Sequence, residues 1–536
     1  MATTATQAPT KGRFNARLTA IRWHQLLAIF GGLALLLWGG SGLLHPVITT
    51  FGPQQARFFP PQAPIDLAGI RPIPETLAAA GITSAQGVKV APGPQGAVLQ
   101  VTVQQDAPRR WFRLEDGAEL KGHDQTQAVF LARHYMALPD TEVRSVEWID
   151  RFSDDYPAVN RLLPVWKVRF DRADNLEVLI YTETGAVAAV SNDWKSRLQR
   201  AFQWVHTWSF LPREAEAARI ILITALVGSL FALVLTGTAM LILIRRKVRA
   251  PGSRGWHRIA GYALALPLLM FTSSGLFHLI QTGWDQPTRT LTLAPPLTPT
   301  PSDFGLHEQW TSITDGLAIA GVSLTQTNDG QQLYRLALTP DRKGSPATPA
   351  EIRNARFDGV QPTGPALYLD AKTGQPWAPG DRELALQLGD RVTGAPRSAI
   401  RKAEPVTRFG PAYDFRNKRL PVWQLDYGPP VNATLFVDTA TGVLADRADN
   451  SAKPERLSFS LLHKWNFLFP LGRNVQNAVV SAVVVLSILL MAILGLQMDL
   501  KRRLRRGQLP QALRARDSPP APHAATRPPA GRHGCS

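Results

Sequence analysis

Four blocks of this chain, Trp23 to Leu44, Ile220 to Ile244, Ile259 to Ile280 and Val475 to Met498, contain no Asp, Glu, Lys or Arg. Each has close to the ~20 apolar residues that cross a hydrocarbon core as helix, the form in which a single segment satisfies all its backbone polar groups. The expectation is four transmembrane helices and embedding in a lipid bilayer.

The basic residues orient these helices. Residues 1–22 hold Lys11, Arg13, Arg17 and Arg22 without an acid. The loop between the second and third blocks, with its flank, holds Arg245, Arg246, Lys247, Arg249, Arg254 and Arg258. The tail adds Lys501, Arg502, Arg503, Arg505, Arg506, Arg514, Arg516, Arg527 and Arg532 against Asp499 and Asp517. By the positive-inside rule these segments and both termini are cytoplasmic, and the two long intervening segments are periplasmic in a bacterial inner membrane. The three basic segments hold 19 basic and 2 acidic residues, so +17 of the formal +18 belongs to a topology signal and no nucleic-acid partner is expected. The single cysteine, Cys535, excludes an intrachain disulfide and a covalent Cys-x-x-Cys-His haem attachment.

The chain is written twice. Tyr156 to Asn160 leads into Leu163-Pro164-Val165-Trp166, and Tyr413 to Asn417 leads into Leu420-Pro421-Val422-Trp423, at a constant offset of 257. The offset persists through Thr182 to Gly185 against Thr439 to Gly442. It reaches His206-x-Trp208-x-Phe210-Leu211 against His463-x-Trp465-x-Phe467-Leu468. The odd helices repeat at an offset of 233, Trp23-His24 against Trp256-His257 and Ser41-Gly42-x-x-His45 against Ser274-Gly275-x-x-His278.

The expected fold class is therefore membrane α+β: a four-helix bundle with two repeated periplasmic α+β domains about a pseudo-two-fold axis. The boundaries are a cytoplasmic N-terminus (1–22), helix one (23–45), outer domain one (46–205), and an outer His motif with helix two (206–244). There follow a basic loop (245–254), helix three (255–282), outer domain two (283–462), an outer His motif with helix four (463–500) and a disordered tail (501–536). Strands are expected at Val165 to Phe170, Val178 to Tyr181 and Leu435 to Val437, and a helix at Gln127 to Leu138.

Six of the eleven histidines, His24, His45, His206, His257, His278 and His463, form matched pairs near the ends of uncharged cores. His123, His134, His307, His523 and His533 do not. Twenty-one helical residues from His24 to His45 span roughly 31 Å and return to within ~60° of one face, so imidazoles stand at both membrane surfaces. Residues three and four before a helical histidine lie on its face. Ser41, Gly42, Ser274 and Gly275 therefore leave a shelf for a flat macrocycle. Paired neutral imidazoles in an apolar sheath suit bis-imidazole ligation of non-covalent haem b, with two haems expected. His24 and His257 serve the inner one, and His45, His206, His278 and His463 share the outer iron in a pairing that sequence leaves open. Carboxylates for proton-coupled transport, tetrahedral zinc donors and nucleotide fingerprints are missing.

Together these motifs resemble the PepSY-associated transmembrane family, which includes iron-regulated membrane proteins and inner-membrane ferric-siderophore reductases such as the ferrioxamine reductase. The resemblance covers roughly residues 20 to 500. It implies a di-haem protein whose periplasmic PepSY-type domains accept a ferric siderophore or other ferric chelate, reduced with electrons from a membrane or cytoplasmic donor. The competing expectation is a non-catalytic PepSY membrane protein binding a peptide, peptidase or metal complex in a regulatory or uptake role.

Overall fold

The computed structural model describes residues 15–516, apart from 62, 68, 245–251, 284–290, 293, 301–309, 340–358, 360–364, 411 and 451. Among the described residues, four helices are long and apolar enough to span a bilayer: Ala16–Phe51, Glu216–Leu243, Ser253–Gln281 and Arg473–Arg505. The chain is a multi-spanning membrane protein. The first span packs on the second and fourth, and so does the third, which sets the first and third diagonally across the bundle. Hydroxyls inside the spans bond back to their own helix, Ser41 to Leu37 O at 2.7 Å and Thr272 to Leu268 O at 2.7 Å, so they cost nothing in lipid.

Three departures from the expected spans matter. The first helix continues to Phe51, past the expected boundary at His45. Wider π turns interrupt the first span at Leu35–Gly39 and the fourth at Ser487–Ile493, each placing an extra residue in the register. The fourth helix also runs on to Arg516, so the tail expected to be disordered from 501 is helical that far; residues 517–536 lie outside the described residues. Most of the basic loop, 245–251, lies outside them too.

Among the described residues, fifteen strands follow in chain order: β1 Gly87–Gly93, β2 Gly96–Thr102, β3 Arg110–Arg113, β4 Val143–Ile149, β5 Val165–Phe170, β6 Glu177–Tyr181, β7 Ala186–Ser191. The second set is β8 Leu291–Thr292, β9 Ile319–Gln326, β10 Gln332–Leu338, β11 Leu367–Asp370, β12 Ile400–Val406, β13 Val422–Tyr427, β14 Ala433–Asp438 and β15 Val443–Asp449. Sheet β4-β5-β6-β7 is covered by helix α1 (His123–Met136), and sheet β12-β13-β14-β15-β8 by helix α2 (Gly380–Thr393). These two flanking antiparallel units match the expected strands; α1 ends where Ala137 turns left-handed, short of the expected Leu138.

The outer segments are not two separate units. A third, six-stranded sheet of order β11-β10-β9-β1-β2-β3 takes half its strands from each. Its seam pairs β1 with β9 antiparallel, Val88 against Leu324 and Val90 against Val322. Leu77, Val101, Phe112, Leu336 and Leu369 are buried in its core.

Several motifs at offset 257 serve the flanking units. Trp166 Nε1 donates to Asp124 Oδ2 at 2.7 Å and Trp423 Nε1 to Asp381 Oδ2 at 2.5 Å, tying β5 and β13 to the first turns of α1 and α2. Trp111 Nε1 reaches the other oxygen of Asp124 at 3.0 Å, and Tyr368 the other oxygen of Asp381 at 2.5 Å. Tyr156 and Tyr413 close the preceding loops by donating to Leu162 O and Arg419 O.

Candidate functional site

At the bundle end away from the sheets, His24 of the first span and His257 of the third face each other across the diagonal. Their ring centroids are 6.4 Å apart with planes at 61°. His24 Nδ1 lies 3.1 Å from Leu233 O and His257 Nδ1 3.0 Å from Leu490 O, carbonyls of the second and fourth spans. A carbonyl only accepts, so each ring carries its proton on Nδ1 and leaves the Nε2 lone pair free.

Glycines floor both rings. A Cβ on Gly237 would stand 3.1 Å from His24 Cε1, and one on Gly495 3.3 Å from His257 Cε1. Leu233 and Leu490 are 257 apart, whereas Gly237 and Gly495 are 258 apart. The π turn Ser487–Ile493 between the latter pair absorbs the extra residue and keeps Gly495 beneath its histidine.

At the sheet end, His206 and His463 each ride a π turn, Gln203–Thr207 and Phe459–His463, that stops near a left-handed tryptophan, Trp208 or Trp465, both at φ 54°. Each imidazole stacks on the phenylalanine four residues earlier, at 4.6 Å. His206 Nδ1 lies 2.9 Å from Ser41 Oγ, and His463 Nδ1 3.3 Å from Ser274 Oγ. Both hydroxyl protons are directed to the helix's own carbonyls, Leu37 O and Met270 O, so each serine accepts and each ring again exposes Nε2. Burial pushes His206 down to about 4. Burial, with His206 and His278 in lesser part, pushes His463 down to about 3, so both rings are neutral at pH 7.

Ser41, Ser274 and Gly275 consequently face the histidines of the following motif. A Cβ on Gly275 would meet His463 Cε1 at 3.4 Å, so the expected shelf beside His278 is filled by another imidazole, while a Cβ on Gly42 would meet nothing within 4 Å. His278 has a carboxylate instead: its Nδ1 lies 2.5 Å from Glu455 Oε1, and its ring stacks on Phe459 at 4.2 Å. His45 is exposed and has no hydrogen bond among the described residues.

Of the remaining histidines, His134 lies between Arg57 and Phe59 O, and His123 packs on Trp111, both in the first flanking unit. His307, His523 and His533 lie outside the described residues. Among the described residues, no group of three or more His, Cys, Asp and Glu side chains converges to hold a metal ion.

Sequence reasoning missed Gly237, Gly495 and the two ring-orienting carbonyls. The signal was available in the near-257 spacing of Gly237 and Gly495. It missed too the ion cluster joining the outer segments, in which Glu183 accepts from Arg109 at 3.0 Å and Arg419 at 3.3 Å, and Arg419 reaches Asp438 at 3.0 Å. Nothing in composition points to a pairing between segments so distant in the chain. No protein-family model matches the chain, and no curated protein is similar to it in sequence.

Proposed function

We propose that this chain is a bacterial inner-membrane b-type haem protein that reduces ferric iron, held by a siderophore or another chelate, on the side of the β domains. The observation that carries the reading is the inner histidine pair. Two imidazoles bound to opposite faces of one metal, with metal–nitrogen bonds of about 2 Å, put their ring centroids roughly 6 Å apart. His24 and His257 stand at 6.4 Å in the required tautomer. Such a site asks for two protein ligands only.

His206 and His463 are taken as the outer pair, since serine hydroxyls orient both from equivalent positions. His45 and His278 stand beside them. Bound haem would supply one-electron transfer between donor and ferric chelate. The residues hold, orient and insulate: carbonyls and serines set the imidazole tautomers, glycines admit the rings, and the uncharged spans exclude water. Reduction loosens the grip of hard oxygen donors, which favour the more highly charged ion, and so releases iron for uptake.

The equivalent tryptophan–aspartate and tyrosine–carbonyl bonds of the two halves support a duplicated architecture with PepSY-type outer units. The basic segments support an orientation with both termini in the cytoplasm. The test is a visible spectrum of purified protein from haem-replete cells. A low-spin reduced spectrum with acid-extractable protohaem is expected; a colourless protein refutes the reading.

A further inference from the structure

The two turns that recur at offset 257, Thr182 to Gly185 and Thr439 to Gly442, take no part in the histidine sites. They meet over the middle of the shared sheet. Lys89 stands at the centre of the β1–β9 seam, paired with Ser323 of β9 on one side and with Gln100 of β2 on the other. Lys89 Nζ donates to Glu183 O, and Gln100 Nε2 donates to Thr182 O at 2.9 Å, which lays the first turn over these strands.

Side chains alternate along a strand, so Gly87 faces the same side as Lys89, and its cross-strand partner Thr102 shares that face. A Cβ on Gly87 would have only Thr102 within 4 Å, at 3.8 Å. The space so left belongs to a cavity of about 30 Å³, bounded by Gly87, Lys89, Thr102 and Thr325 of the sheet and by Glu183 and Thr441 of the two turns. That is room for a water molecule or a small ion.

The lining favours the ion. The Glu183 carboxylate is engaged by Arg109, Arg419 and Tyr181, and Asp438 by Arg419 and Thr441. Three cations, Lys89, Arg109 and Arg419, thus share two carboxylates and leave one positive charge over. Among the described residues no carboxylate oxygen lies within 4 Å of Lys89 Nζ, whose hydrogen bond goes to a backbone carbonyl. Desolvation lowers the Lys89 pKa to about 8 against the pull of Glu183, so the ammonium is charged at pH 7. Thr102 and Thr325 are 5% and 4% exposed, and neither hydroxyl has a hydrogen-bond partner among the described residues. An under-neutralised ammonium and two buried hydroxyls around so small a space suit a compact acceptor of negative charge.

We propose that this cavity binds one small monovalent anion, of chloride to formate size, which neutralises Lys89 and fastens the two halves of the chain at the centre of their common sheet. The site is independent of the haem reading.

The probe is chloride. Full-length protein in detergent at pH 7 is melted in sodium gluconate, an anion too large for the cavity, and chloride or formate is then substituted at constant ionic strength. Wild type is expected to show a saturable rise in thermal midpoint of about 2 °C or more with either small anion. Lys89→Met removes the charge, and Gly87→Val keeps the charge but puts a side chain into the cavity; each should abolish the rise. A wild type that melts alike in chloride and gluconate overturns the proposal and assigns the cavity to water. An equal rise in all three proteins places the anion elsewhere and overturns it too. If neither variant elutes as a single species, wild-type crystals grown in bromide decide: an anomalous peak between Lys89, Thr102 and Thr325 is expected, and its absence overturns the proposal.

Discussion

Replacing Gly237 with alanine should improve the second span as a helix and damage the inner site at the same time. The new Cβ would stand 3.1 Å from His24 Cε1 and 3.4 Å from Nδ1, against an ordinary contact of 3.4–4 Å. The ring must therefore withdraw by a few tenths of an ångström, while ligation tolerates about 0.2 Å in bond length. Its Nδ1 is held by Leu233 O at 3.1 Å and Thr236 Oγ1 at 3.3 Å, so it can move only by leaving its preferred rotamer. That costs of order 0.5–1.5 kcal/mol, about two- to tenfold in haem affinity. Removing glycine from a helix interior works the other way, by up to about 1 kcal/mol. Apoprotein from haem-depleted cells should thus melt no lower than wild type, while haemin titration should show a weakened or partly high-spin inner equivalent. Gly495→Ala, with 3.3 Å to His257 Cε1, should do the same more mildly. Unchanged affinity and spin state in Gly237→Ala would refute the argument that these glycines seat metal-binding imidazoles.

His257→Ala should remove one haem equivalent and spare the outer absorbance, measured as haem per chain; loss of both with the protein monodisperse would mean a single shared site. Asp381→Ala strands Trp423, Tyr368, Thr439 and the buried Arg335, and should lower stability by about 3–5 kcal/mol, read as the thermal midpoint of the full chain. Burial raises the Asp381 pKa, but Arg335 and the hydrogen bonds outweigh it and leave it below the ordinary value. Its stabilisation is therefore complete above about pH 3.9 and fades as pH falls through the folded value, so the gap between wild type and variant should narrow only in acid.

The spans were legible because twenty uncharged apolar residues admit one structure in lipid, and the flanking units because their motifs recur. Trp166 and Trp423 show where pattern stops short of role. Their recurrence was visible, but the partner that explains it, an aspartate at a helix start 42 residues earlier, becomes evident only when the sheet folds onto that helix. The serine–glycine pairs show the converse. Helical spacing placed them beneath their own histidines, and only tertiary packing assigns Ser41 to His206 and Ser274 to His463. The β1–β9 seam left no local trace, since β alternation records burial and not the identity of a neighbouring strand.

That seam sets a schedule for making the protein. β1 ends its segment of synthesis some 230 residues before β9 begins, and at 5–20 residues per second the first half waits roughly 10–50 s for its twin. Throughout that interval β1 is a bare edge, open to any passing strand from another nascent chain. Lys89 and Pro92 stand within it, one a charge and the other a residue unable to donate to a ladder. A charge and a proline on an open edge are features that disfavour pairing with a foreign strand, and the edge is covered only when β9 of the second half pairs with Val88 to Val90.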